Sequence, residues 1–147
     1  MANRVPLNDA QFHGPRLSPA QALACARSGW SLSQSGALDQ ALALLEDAVT
    51  CLPSDRDVVS AYAFTLAKAL RTKEAHYWLQ RAAELSPDNI EVQVAAGEIA
   101  CEVQDYAGAA QRFARCLQLD PSGREPAGIR ARALIKRTEK QLASRRG

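Results

Sequence analysis

Small and apolar residues recur along this chain with a step of 34 positions. Ala41, Ala75 and Ala109 form one such row, and Pro53, Pro87 and Pro121 form another. Gly29, Ala63 and Gly97 keep the same step, as do Leu45, Leu79 and Phe113, and as do Ala48, Ala82 and Cys116. A step this regular over most of a chain means one helical-hairpin unit copied in series. Three copies fit between Pro19 and Pro121. Stacked hairpins make a curved surface, and such surfaces commonly hold other proteins.

The polar punctuation between the apolar rows predicts the elements. Ser18-Pro19 reads as a helix start, with Ser as N-cap and Pro in the first helical position. The first helix then runs to about Ser35, Gly36 ends it, and a partner spans Leu38–Leu52. Asp55 and Asp57 favour the N-terminus of a helix that ends near Leu70, followed by one over Thr72–Leu85. Ser86-Pro87-Asp88 repeats the punctuation before Asn89–Val103 and Tyr106–Leu119. After a turn at Ser122–Pro126, a last helix is expected over Ala127–Ser144. Its apolar stripe reads as Ile129, Ala133, Leu134, Thr138 and Leu142. Residues 1–18 hold Pro6, Gly14 and Pro15 without helical period and read as an extended arm.

Packing follows from side-chain size. Ala41, Ala75 and Ala109 are expected to face the preceding helix, where a larger group would force it away. Leu45, Leu79 and Phe113 are expected to fill the gap to the next repeat. The last helix then covers an apolar face that the third hairpin would leave in water, with Arg and Lys outward.

Charge changes this picture in one respect. Residues 122–147 carry eight Lys or Arg against two Asp or Glu, while residues 1–121 carry ten against fourteen. The body is mildly acidic and the tail basic. Cys25, Cys51, Cys101 and Cys116 stand at irregular spacings inside expected helices, without a C-x-x-C pair and with only two His in the chain. They read as buried free thiols rather than as disulfide or zinc ligands. No run of 18 apolar residues exists, so no transmembrane helix is expected. The first residues lack a basic stretch followed by an apolar one, and Ala2 stands where N-myristoylation needs glycine. The expectation is a cytoplasmic protein.

The five rows resemble the motif of the tetratricopeptide repeat (TPR) family. That motif has a small residue at Gly29, Ala63 and Gly97 and Ala at Ala41, Ala75 and Ala109. It has an aromatic or Leu at Leu45, Leu79 and Phe113, Ala at Ala48 and Ala82, and Pro at the close. Cys116 departs from it, as do Leu70 and Gln104 where Gly36 supplies the turn glycine, and Cys25, Val59 and Gln93 at the motif's Trp position. The resemblance implies an all-α protein: three TPR hairpins (19–53, 54–87 and 88–121) in a right-handed α-solenoid, preceded by the 1–18 arm and closed by a basic capping helix over 122–147. The layout is also similar to that of bacterial type III secretion chaperones for translocator proteins, which hold apolar secreted proteins in the concave groove. The arm here is shorter and richer in proline than the dimerising region typical there, and a homodimer stays open.

By register with the TPR motif, the first helix of each unit lines the groove. Unit one supplies Leu23, Ala26, Trp30, Ser33 and Gln34, and unit two Asp57, Ser60, Phe64, Ala67 and Lys68. Unit three supplies Glu91, Val94, Glu98, Cys101 and Glu102. Trp30, Phe64 and Glu98 share one row, so the groove is expected to be aromatic at one end and acidic at the other. The implied partner is a protein or peptide with apolar anchors near Trp30 and Phe64 and basic residues near Glu91, Glu98 and Glu102. Alternatively Trp30 packs against the arm; solvated helix surface is the plainer reading of the glutamates. A carboxylate clamp of the kind that holds heat-shock protein C-termini is excluded, because it needs several donors and Lys68 is the only cation in this register.

Catalysis, cofactors and metals have no support in the sequence. His13 and His76 have no nucleophile motif nearby, and neither a phosphate-cradling loop nor H-E-x-x-H occurs. The tail cations Arg130, Arg132, Lys136, Arg137, Lys140, Arg145 and Arg146 admit a phosphate-binding reading. With no aromatic in the tail to stack on a base, a solvated cap face explains them more simply. The expected function is protein binding without catalysis, as a cytosolic chaperone or as a structural adaptor subunit.

Overall fold

The computed structural model describes residues 17–146. The arm expected over residues 1–18 therefore lies outside the described residues except for Leu17 and Ser18. Among the described residues the chain forms helices and no strand: α1 (Pro19–Gln34), α2 (Leu38–Cys51), α3 (Arg56–Lys68), α4 (Thr72–Leu85), α5 (Ile90–Glu102), α6 (Tyr106–Leu119) and α7 (Pro126–Arg146). The limits read from the sequence hold to within two residues.

Short polar side chains start the helices that open each hairpin. Ser18 and Gln21 form a reciprocal capping box at α1. Asp55 accepts from the amides of Asp57 and Val58 at α3, and Asn89 accepts from Val92 at α5. Each cap satisfies amides that the helix geometry leaves without a partner.

The ends of those same helices share one geometry. Gly36, Leu70 and Gln104 all adopt positive φ, at 87°, 59° and 64°. Each closes a Schellman motif: Ala37 donates to Leu32, Arg71 to Leu66 and Asp105 to Ala100 across the turn. The two departures from the turn glycine therefore did not change the turn. Leu70 and Gln104 are held in the left-handed region by the helices on either side, at a cost of ~1–2 kcal/mol each relative to a relaxed residue.

The helices pair as α1 with α2, α3 with α4 and α5 with α6, and successive pairs join through α2–α3 and α4–α5. Ala41, Ala75 and Ala109 are fully buried. The larger row also packs within its own hairpin. A Cβ on Gly29 would lie 2.7 Å from Leu45 Cγ, and one on Gly97 would lie 2.5 Å from Phe113 Cε1. Leu45 and Phe113 thus sit directly over the small residue of their own hairpin, so the glycine and the bulky side chain form one interlocked pair. Gln93, at the motif's Trp position, is buried and donates from Nε2 to the carbonyl of Ala83 at 3.0 Å. It also reaches the carbonyls of Ser86 and Pro87, tying down the corner between α4 and α5.

The core has two parts that meet at α5. Val92, Ala96 and Ile99 belong to the part shared with hairpins one and two. Val94 and Ala100 belong to the part formed with α6 and α7. α7 packs on α6 and α5 as the opening helix of a further repeat would, covering the third hairpin. Its buried face is Ala127, Gly128, Ala131 and Thr138, with Leu134 and Ile135 partly buried beside them. Ile129 and Ala133, expected on that face, are exposed, Ile129 by 54%. α7 docks through small residues that allow close approach, with the buried face at its start set on Ala127, Gly128 and Ala131. Only Cys116 of the four cysteines is fully buried; Cys25, Cys51 and Cys101 are partly exposed. Burial pushes the Cys116 thiol up to about 11.

Asp120 anchors the start of α7. Its carboxylate accepts from the amides of Glu125 at 2.9 Å and Arg124 at 3.1 Å, and from the Ser122 hydroxyl. Those donors, with the Glu125 amide foremost, hold its pKa below the usual carboxylate range.

Candidate functional site

One cleft of about 1030 Å³ opens along α1, α3 and the start of α5. Trp30 and Phe64 form its aromatic wall, with ring centroids 6.4 Å apart and an interplanar angle of 64°. This is the edge-to-face arrangement that aromatic pairs favour. Both rings are only partly buried, so each keeps surface for another molecule. Leu23, 37% exposed, continues the apolar wall along α1, and Ile90 faces it from α5.

The sequence-derived groove residues divide into three groups. Leu23, Ala26, Trp30, Asp57, Ser60, Phe64 and Glu91 line the cleft together. Gln34 and Lys68 lie beyond its aromatic wall, where Lys68 Nζ donates to Gln34 Oε1 at 2.9 Å. The ammonium also stands 5.6 Å from the centre of the Trp30 ring, within cation–π range. Nearby Ser33, expected to face the groove, is instead buried between α1 and α3, and Thr65 donates to it at 2.9 Å.

The third group is where the structure departs most from expectation. Val94 is fully buried in the core shared with α6 and α7. Glu98, third in the row after Trp30 and Phe64, is ion-paired with Arg130 of α7. Cys101 lies 3.6 Å from Thr138 of the same helix. Glu102 is exposed and lies outside the cleft. Of the three glutamates expected at the acidic end, Glu98 is taken up by α7, Glu102 lies outside the cleft and only Glu91 lines it. The carboxylates that do line the cleft stand at or just before helix starts: Asp57, Asp88, Glu91 and Glu125.

Two cations were missed. Arg27 and Arg56 line the cleft, so Lys68 is not the only groove cation and is not in the cleft lining at all. Arg27 comes directly after Ala26 on α1 and Arg56 opens α3; widening the groove stripe by one residue finds both. Ser86–Asn89 also line the cleft as a corner between helices, which a helix-register argument cannot reach.

Several tail cations have internal partners. Arg130 binds Glu98, Arg132 donates to the carbonyl of Pro121, and Arg145 donates to Gln104 Oε1 at 3.0 Å while covering the Tyr106 ring at 4.7 Å. These contacts fasten α7 to the body. His76, 3.5 Å from Asp105, does not line the cleft. Among the described residues no three His, Cys, Asp or Glu side chains gather as metal ligands would, and no helix is long and apolar enough to cross a membrane.

No family model and no curated protein sequence matches this chain. Solved structures do. The first TPR domain of Spaghetti (RPAP3), bound to the HSP90 peptide SRMEEVD, superposes with a TM-score of 0.72 at 17% identity, over 88% of this chain and 99% of that one. MamA from MSR-1 matches with a TM-score of 0.72 at 23% identity, over 92% of this chain and 74% of its own. The Sgt2 TPR domain from Aspergillus fumigatus gives 0.69 at 18% identity, over 91% and 89%. Likeness at these identities speaks for architecture alone, and with the 34-residue rows it shows that this chain has the fold of a tetratricopeptide-repeat domain.

Proposed function

We propose that this domain is a non-catalytic protein-binding module whose cleft holds an extended segment of a partner protein. The observation that carries this reading is the partly exposed Trp30–Phe64 pair at the wall of a roomy cleft. Aromatic side chains in concave surfaces are typical carriers of binding energy. The structurally similar domain of Spaghetti holds a peptide, which supports the same use here. The anchors of the partner are apolar, and its basic residues face Glu91 rather than Glu98 or Glu102.

A finer reading is a cytosolic chaperone for an apolar partner, including a type III secretion substrate. Its support is the layout of three hairpins closed by one C-terminal helix. A second reading, an adaptor subunit docked through surfaces away from the cleft, draws on Leu70 and Tyr77, which are 84% and 62% exposed and do not line it.

The test is a pull-down from native cytosol with wild type, Trp30→Asp and Phe64→Asp as baits, each shown to be helical by circular dichroism. Partners captured by wild type and lost by both variants are the expected result. Identical partners on all baits would refute the cleft as the binding site. Loss on Tyr77→Asp with retention on Trp30→Asp would favour the adaptor.

A further inference from the structure

The charges around the cleft are sorted by end, and most are unengaged. The cleft crosses α1, α3, α5 and the approach to α7 in that order. Arg27 stands on α1 and Arg56 at the start of α3; Glu91 stands on α5 and Glu125 just before α7. Among the described residues, ion pairs join Arg71 to Glu74, Arg115 to Asp88 and Arg130 to Glu98. Arg27, Arg56, Glu91 and Glu125 belong to none of these, and all four are exposed. Asp88, the other acid at that end, is held by Arg115 at 2.7 Å. Asp57 partly offsets its neighbour Arg56, which leaves Arg27 as the dominant cation.

We propose that the cleft accepts a partner segment with an apolar anchor between an acidic and a basic residue, held with its acidic end toward α1 and its basic end toward α5. This rests on the reading of the cleft as the partner site. The acidic residue lies toward Arg27 and Arg56, the apolar anchor on Trp30 and Phe64, and the basic residue toward Glu91 and Glu125. A segment threaded backwards would put both of its charges against like charges, and such juxtaposition is an effective means of rejecting wrong partners. The aromatic pair supplies affinity without direction; the separated charges supply direction. Because these charges are exposed, their influence falls as salt shortens the screening length from ~10 Å at 0.1 M.

The test is selection of random dodecapeptides displayed on phage against the full chain at low salt. The expected result is enrichment of peptides with Asp or Glu on one side of a bulky apolar residue and Lys or Arg on the other. Against Arg27→Glu/Arg56→Glu, a selected peptide is expected to bind about tenfold more weakly, and Glu91→Lys/Glu125→Lys is expected to penalise its basic end likewise. These positions are exposed, so the variants keep the fold. Apolar peptides without these flanking charges, lost on Trp30→Asp, would overturn the directional inference and leave the cleft as the site. Peptides indifferent to Trp30→Asp, or no enrichment at all, would overturn both.

Discussion

The row Trp30, Phe64, Glu98 repeats one position of one motif, yet its two ends have opposite fates. At the first end two rings meet edge to face and keep exposed surface toward the cleft. At the other, Glu98 is met by Arg130 from α7. The difference lies in the C-terminal neighbour of each repeat. Hairpin one is succeeded by a repeat whose opening helix sets Phe64 edge to face with Trp30 and leaves both rings partly exposed. Hairpin three is succeeded by a capping helix that buries Val94 and pairs with Glu98. Equivalent register therefore does not mean equivalent availability: the terminal repeat gives Val94 and Glu98 to the cap and keeps only the start of α5 for the cleft.

That contrast can be broken at several points. The largest effect is expected at the open end, where Trp30→Asp or Phe64→Asp should weaken partner binding by ~2 kcal/mol or more, read by titration with the captured partner. Next comes the glycine–ring contact of the third hairpin. Gly97→Ala places a methyl group against the Phe113 ring and should destabilise the fold by ~1–3 kcal/mol in urea unfolding. In the second hairpin Ala63 already stands at the corresponding position opposite Leu79, so the penalty is particular to glycine rows paired with a bulkier or closer partner.

How much of this was legible in the sequence depends on what each feature needed. Helix order and limits came from a period and its punctuation, which are local. The glycine-free turns at Leu70 and Gln104 were visible as departures, but their retained geometry was not, because the packing of neighbouring repeats imposes it. The face of α7 was legible in part: Leu134 and Thr138 are covered as expected, but at the start of the helix the buried face falls on Ala127 and Ala131 and leaves Ile129 and Ala133 exposed. Arg27, Arg56 and the Ser86–Asn89 corner reach the cleft through curvature between helices, which no single helix's periodicity encodes.

Smaller perturbations sharpen the same contrast. Leu70→Gly should stabilise the chain by ~1 kcal/mol, because the side chain is 84% exposed and glycine removes the left-handed strain. Asp120→Asn should lower stability at neutral pH, because an amide keeps only one of the two oxygens that accept from Arg124 and Glu125, and should remove the pH dependence that the carboxylate brings. The depressed pKa of Asp120 means that its contribution is present above the ordinary carboxylate range and is lost as pH falls through about 4 toward the folded value. Thermal melts from neutral to acid pH should therefore show a shallower acid loss in Asp120→Asn than in wild type. Smallest of all is Glu98→Gln. The pair with Arg130 is partly exposed and worth ~0.2–1 kcal/mol at most, and partner binding should not change.

Hydrogen–deuterium exchange of the full chain with and without its captured partner tests the division of the groove most directly. The account predicts new protection in α1, α3 and the first turn of α5, with α7 and the outer helices unchanged. Protection centred on α7, or on the Leu70–Tyr77 surface with α1 and α3 unaffected, would contradict it.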